Sequence, residues 1–262
     1  MILHMNVPAI LMFHSLDTSR SPISLEPDRF ERLLNGLVER GWKSINFSDH
    51  NQHSQPISDQ TMILTFDDGL CTIRCAVPIL ERLGLSATVF LVAGRVGGWN
   101  DFPGCRIRVL RQRLLTWSEC RELAERGIRF ASHGWDHHPV TQLDSATLRD
   151  DLLRARERIA TELSAAFDDA PFAYPYGDWD RRTRRIVGEF HRIGLGTRLG
   201  RPRPSDCPLV LPRIDAYHLR NPCVAARWMG SWGDWWMVPR RSIRQLRTSW
   251  EKTQRWLSSS LG

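Results

Sequence analysis

No apolar run in this chain approaches the roughly 20 residues that a bilayer-spanning helix needs, which argues against a transmembrane segment. Met1 to Pro8 hold no basic stretch followed by an apolar core, and the run Ala9 to Phe13 is too short to serve as one. No secretory leader is legible, and a cytoplasmic location is the expectation. The cysteines, Cys71, Cys75, Cys105, Cys120, Cys207 and Cys223, include no Cys-x-x-Cys pair, so reduced thiols are expected rather than a disulfide framework. Cys71 and Cys75 lie four apart on an expected helix, a spacing that suits core packing better than half of a zinc site. There is no internal repeat and no low-complexity linker, which sets aside solenoids and arrays. The surplus of 36 Lys plus Arg over 29 Asp plus Glu gives a formal net charge of +7. It comes without a nucleic-acid recognition motif or stacking platform, so nucleic acid is not an expected partner.

What is present is an ordinary globular composition, 42% hydrophobic and 25% charged over 262 residues, enough chain for one large α/β domain. Short apolar runs alternate with amphipathic stretches. Strands are expected near Ala9–Phe13, Ser44–Phe47, Met62–Phe66, Thr88–Val92, Arg129–Ser132, Phe172–Tyr174 and Leu195–Thr197. Helices are expected between them. Pro27–Arg40 puts Phe30, Leu33, Leu34, Leu37 and Val38 on one face before Gly41, and Trp117–Arg126 ends at Gly127. Ala146–Leu163 repeats Leu148, Leu152, Ala155 and Ile159. That succession predicts a distorted (β/α) barrel with its chemistry gathered where strands end and loops begin. After Arg198 the pattern weakens into a Pro- and Arg-rich stretch. The expected division is a catalytic domain over residues 1–220 and a Trp/Arg-rich extension over 221–262 with a helix from Ser242 to Leu257. Four of the eleven tryptophans fall between Arg227 and Met237, where they suit core packing, sugar stacking or weak membrane association.

Three segments carry chemistry. Thr65-Phe66-Asp67-Asp68-Gly69 closes an apolar run with two adjacent carboxylates and a glycine. One carboxylate can ligate a metal while the other stays free as a base for water, although an N-capped turn would look the same. Ser132-His133-Gly134-Trp135-Asp136-His137-His138 offers two imidazoles four residues apart after another strand. A carboxylate with two histidines leaves a tetrahedral position open, the arrangement of a catalytic rather than a structural site. In Phe172-Ala173-Tyr174-Pro175-Tyr176-Gly177 a rigid Pro and a permissive Gly bracket Tyr176, which suits a main-chain N–H aimed into a cleft toward an oxyanion.

Together, and in this order, the segments resemble the polysaccharide deacetylase family, also called the NodB-homology or carbohydrate esterase 4 family. The likeness covers about Pro8 to Asp215 and includes Leu11-Met12-Phe13-His14, Glu39-Arg40-Gly41-Trp42 and Ala87-Thr88-Val89-Phe90. The resemblance implies that Asp67 is the general base, that Asp68, His133 and His137 bind a divalent metal, and that Pro175-Tyr176 supplies the oxyanion donor. Zinc is the expected ion, with nickel, cobalt or iron also suited to this donor set. The implied substrate is an N-acylated amino sugar. The same site would also serve a formamido sugar, a cyclic imide or a lipid-linked acyl amine, and a carbohydrate-binding protein could keep the fold without catalysis.

The chain departs from the family at two points. The arginine that often precedes Pro-Tyr-Gly is absent, which leaves Arg213 and Asp215, in Leu211-Pro212-Arg213-Ile214-Asp215, as substitutes for tuning the base. No late Leu-x-His motif supplies the acid. His14 is the expected acid, because a closing barrel sets its first strand beside its last and some family members carry a similar apolar-aromatic-His segment near the start. Imidazole can hold a proton near neutrality. His218 in Tyr217-His218-Leu219 is the rival.

Overall fold

The computed structural model of the chain describes residues 7–19, 21–48, 58–103, 109–164 and 171–219. The expected 221–262 extension, its helix and its tryptophan cluster therefore lie outside the described residues.

Along the chain come β1 (Ala9–Phe13), β2 (Ser15–Leu16), β3 (Ser24–Leu25), α1 (Pro27–Val38), β4 (Lys43–Ser44), β5 (Thr61–Phe66), α2 (Val77–Leu83), β6 (Ala87–Leu91), α3 (Trp117–Glu125), β7 (Arg129–Ser132), α4 (Ser145–Leu163), β8 (Phe172–Ala173), α5 (Arg181–Val187), β9 (Gly194–Leu199) and β10 (Leu211–Asp215). Local chemistry sets the helix starts. Pro27 opens α1, Thr116 and Glu119 form a capping box on α3, and Asp144 caps α4 through the amides of Ala146 and Thr147.

All pairings in the main sheet are parallel. β1 meets β5 on one side, from Ala9 opposite Met62 to Phe13 opposite Phe66, and β10 on the other, with Leu11 opposite Ile214. From β10 the order runs through β9, β8, β7 and β6 to β5. The wall is uneven, which makes the barrel distorted: β8 is two residues long and joins β7 through one pair, and β10 shifts register between Leu211 and Arg213.

Both faces of the sheet are covered, so the strands read as continuous apolar runs. Alternation still sorts the side chains. Leu11, Phe13, Leu64 and Phe66 pack outward against Phe30, Leu34 and Val77 of the helices, whereas Ile10, Ile63, Phe90, Ala131, Ala173 and Leu195 form a second core inside. Continuing the inward parity past the strand ends carries Asp67 and His133 to the mouth of the barrel.

Two expectations need correction. The strand expected over Ser44–Phe47 is only Lys43–Ser44, and Phe47 is already helical. β4 faces Thr61 and Met62, but from Leu64 onward β5 pairs with β6, so nothing is left there for a longer β4. The weakening after Arg198 hid β10. Its Pro212 sits in the register shift, the kind of place where a sheet tolerates a residue with no N–H. Cys71–Cys75 forms a short 3-10 helix, and Cys71, Cys75, Cys120 and Cys207 are free thiols. Among the described residues no helix is long and apolar enough to cross a membrane.

Candidate active site

The chain leaves β5 through two left-handed residues, Asp68 (φ 72°) and Gly69 (φ 69°). Asp67 keeps the strand's parity, its amide donating to the Phe13 carbonyl at 2.9 Å, while the sharp turn sends Asp68 elsewhere. Two neighbouring carboxylates thereby acquire different surroundings. Glycine is required next: a Cβ on Gly69 would lie 2.8 Å from the Leu91 side chain.

Asp68, His133 and His137 converge, each buried, with their ligand atoms within 4.8 Å of one another. Asp68 Oδ1 is 3.4 Å from His133 Nε2 and 3.3 Å from His137 Nε2. His133 Nδ1 lies 2.7 Å from the Ala173 carbonyl, an oxygen that can only accept, so the proton of the neutral ring belongs on Nδ1 and Nε2 turns a lone pair toward Asp68. Lone pairs and a carboxylate that face one another call for a cation between them, so the donor set fits a divalent metal. Burial works against ionised Asp68, yet the two imidazoles that face it, whenever Nε2 carries a proton, hold its carboxyl well below the ordinary carboxylate range. At His133 burial opposes the proton, but Asp68 and Asp67 overcome it and raise the imidazole's affinity for positive charge. Phe102 stacks on His137 with centroids 4.3 Å apart, and Tyr176 meets the same ring edge-on at 4.5 Å.

Asp67 is held otherwise. Arg213, fully buried, donates from Nη1 to Oδ1 and from Nη2 to Oδ2 at 2.7 Å each. Its Nε donates to the Gly196 carbonyl at 3.0 Å, which fixes the plane of the fork. Burial would raise the Asp67 carboxyl, and the charge of Arg213, followed by that of His133, outweighs it and keeps the group below its ordinary value. The arginine missing before Pro-Tyr-Gly is thus matched by one on β10, which is separated from β5 by β1 alone.

His14, just past β1, places Nε2 3.9 Å from Asp67 Oδ2 with its side chain one-fifth exposed. His14 also lines a small open cleft, together with Ser24, Leu25, Asp215 and Tyr217 among others. Asp215 accepts from the Tyr217 amide at 2.9 Å and lines this cleft. His218 sits on the turn after β10 with its ring edge-on to Tyr217. Pro175 is buried, and Tyr176 takes the left-handed φ of 58° between it and Gly177, whose Cβ would fall 2.1 Å from Thr197 Oγ1.

The structure brings Asp67, Asp68, His133, His137, His14 and Arg213 together at this mouth, with Tyr176 against His137, while Asp215 and His218 lie at and just after the end of β10. Phe102 and Asp151, which contact the His133–His137 segment, carried no motif that would have singled them out. Backbone geometry marks the place independently. Among the described residues four non-glycines have positive φ, and Asp68, His137 and Tyr176 are three of them. Residues in such sparsely populated conformations persist where the surroundings over-determine them, and they cluster at functional sites.

A family model described as polysaccharide deacetylase matches residues 54–191. A Bacillus subtilis (strain 168) protein that carries the name of polysaccharide deacetylase YxkH is 24% identical over 221 residues, covering 78% of this chain and 70% of that protein. The poly-β-1,6-N-acetyl-D-glucosamine N-deacetylase of Escherichia coli (strain K12) is 30% identical over 113 residues, 39% of this chain but only 16% of that larger protein. Among solved structures, IcaB from Ammonifex degensii superposes with a TM-score of 0.71 at 22% identity, over 85% of this chain and 97% of that one, a likeness of fold.

Proposed function

The chain belongs to the polysaccharide deacetylase family, and we propose that it hydrolyses the N-acetyl group of an amino sugar, with Asp68, His133 and His137 holding a zinc ion. The observation that carries this reading is the division of the two adjacent aspartates, one facing two imidazoles and the other locked to a guanidinium. A divalent ion in the first of these settings supplies Lewis-acid polarisation of the acyl oxygen and acidifies water.

The protein's own groups do the rest. Asp67, kept ionised by Arg213, accepts the proton of the attacking water. Its oxygens retain lone pairs beyond those that meet the guanidinium. The Tyr176 amide donates to the oxygen on which negative charge develops, its position pre-set by the left-handed turn at Pro175–Gly177. His14, beside Asp67, gives a proton to the departing nitrogen so that the C–N bond breaks to acetate and a free amine.

An amino sugar suits the mouth. Of the exposed large apolar side chains among the described residues, Trp99, Leu110 and Trp179 lie on loops between a strand and the next helix and Tyr217 on the 3-10 turn after β10, whereas Leu153 lies on α4. Aromatic rings of this kind stack on the apolar faces of sugars while their polar edges stay wet. The test is acetate release from a panel of N-acetyl and N-formyl amino sugars, free, polymeric and lipid-linked, with zinc added and then removed by a chelator. Zinc-dependent acetate release from saccharides supports the reading. Turnover of a non-sugar amide alone, or release that ignores the chelator, overturns it.

A further inference from the structure

The segment that joins the two histidine ligands is gripped from two directions. From the end of β6, the Ala93 and Gly94 amides donate to the Gly134 and Trp135 carbonyls at 3.0 and 2.8 Å, and Arg95 reaches Asp136 at 2.9 Å. From α4, which carries no ligand, Arg154 lies 4.1 Å over the Trp135 ring, and Asp151 accepts the Trp135 amide at 3.0 Å and a further hydrogen bond from the Asp136 amide. The fit is close, since a Cβ on Gly134 would meet Asp151 Oδ1 at 2.9 Å.

This carboxylate is an expensive choice for such a task. No lysine or arginine pairs with Asp151 among the described residues; main-chain amides hold it, with the charges of Asp136 and His138 nearby. Burial, the largest influence, pushes its carboxyl up to about 6. The segment it grips turns through Gly134 at φ 81°, which glycine adopts freely, and holds His137 at φ 60°, where a non-glycine is strained. Strain that persists beside a costly group points to a geometry worth holding.

We propose that Asp151 is a positioning residue for the metal site: by gathering the Trp135 and Asp136 amides it sets the approach of His133 Nε2 and His137 Nε2 to Asp68. This rests on the metal reading above, and the experiment keeps the two apart. Zinc affinity of the full chain is measured by competition with a chromophoric chelator for wild type, His133→Ala, Asp151→Ala, Asp151→Asn and Asp151→Glu. Outer-shell partners typically contribute 10–100-fold to metal affinity, so Asp151→Ala should lose roughly that much, while Asp151→Asn, whose amide oxygen still accepts, stays within about threefold. Asp151→Glu keeps the charge but not the reach, and should fall with the alanine variant. Where Asp151→Ala fails to fold, the Asn and Glu variants decide between geometry and charge. Positioning is overturned alone if His133→Ala loses zinc while Asp151→Ala keeps it, or if the Asn variant is as weak as the Glu one. If wild type binds no zinc, the metal reading falls and this proposal with it.

Discussion

Replacing Arg213 with methionine is the severest test of how the base is set. The guanidinium has no exposure and makes both of its fork contacts to Asp67 at 2.7 Å, so its loss strands a buried carboxylate. Breaking a buried ion pair from one side costs about 3–5 kcal/mol. At roughly 2–4 °C per kcal/mol for a domain of this size, melting should fall by about 6–20 °C. In wild type the Asp67 carboxyl is depressed, so its contribution to stability is present above its ordinary value and is lost as pH falls through the lowered one. In Arg213→Met burial is no longer offset and the carboxyl rises. The variant is then worst off at neutral and alkaline pH, and the gap in melting temperature narrows in acid, where Asp67 is protonated. The same rise takes the base out of its ionised form sooner. The acid limb of kcat/KM should move up by about 1–3 pH units, the range that loss of a neighbouring opposite charge produces. Arg213→Lys, which keeps the charge but not the fork, should fall between. Melting curves from pH 4 to 9 and pH–rate profiles decide it. An unmoved acid limb in Arg213→Met would show that Asp67 is not the base the guanidinium controls.

Asp68→Ala, His133→Ala and His137→Ala should each weaken zinc binding in a chelator titration, whereas Asp67→Asn should retain the ion and lose roughly 10²–10⁴-fold in turnover. His14→Ala should keep the metal and lose hydrolysis of amides while sparing an activated acyl ester, whose leaving group needs no proton. Equal loss on both substrates removes the acid role, and full amide activity with loss in His218→Ala transfers it. Glu119→Gln keeps an acceptor for the Thr116 amide but loses the charge that the Arg113 fork meets, and should lower stability by up to about 1 kcal/mol at pH 7. Because the Glu119 carboxyl is held down at about 2, that gap should be full above its ordinary 4.5 and close as pH falls toward 2, as thermal melts in acid would show.

The parts legible in the sequence are those where a single strand or helix announces itself. Ala9–Phe13 and Arg129–Ser132 fall where their apolar runs put them, and the ligands follow because Asp68, His133 and His137 sit next to strand ends. What escaped depends on contacts between distant segments. The length of β4 is decided by how much of β5 another strand occupies, which Ser44–Phe47 does not encode. β10 is interrupted by Pro212 and by a charge, so neither its alternation nor its propensity reads as a strand, yet that charge is the residue meeting Asp67 from 146 positions away. Asp151 was invisible for a plainer reason. On a helix rich in acids and bases, nothing in the spacing distinguishes the one carboxylate turned toward a loop.

The pairing of β1 with β10 also orders the site along the direction of synthesis. Every metal ligand lies within the first 137 residues, and β1 and β5 pair directly without help from the last strand. The guanidinium that governs Asp67 arrives only with residue 213. A chain clipped ahead of β10 still encodes every donor to the ion and lacks the group that readies the base. Metal content and catalytic competence therefore report on different stretches of the polypeptide.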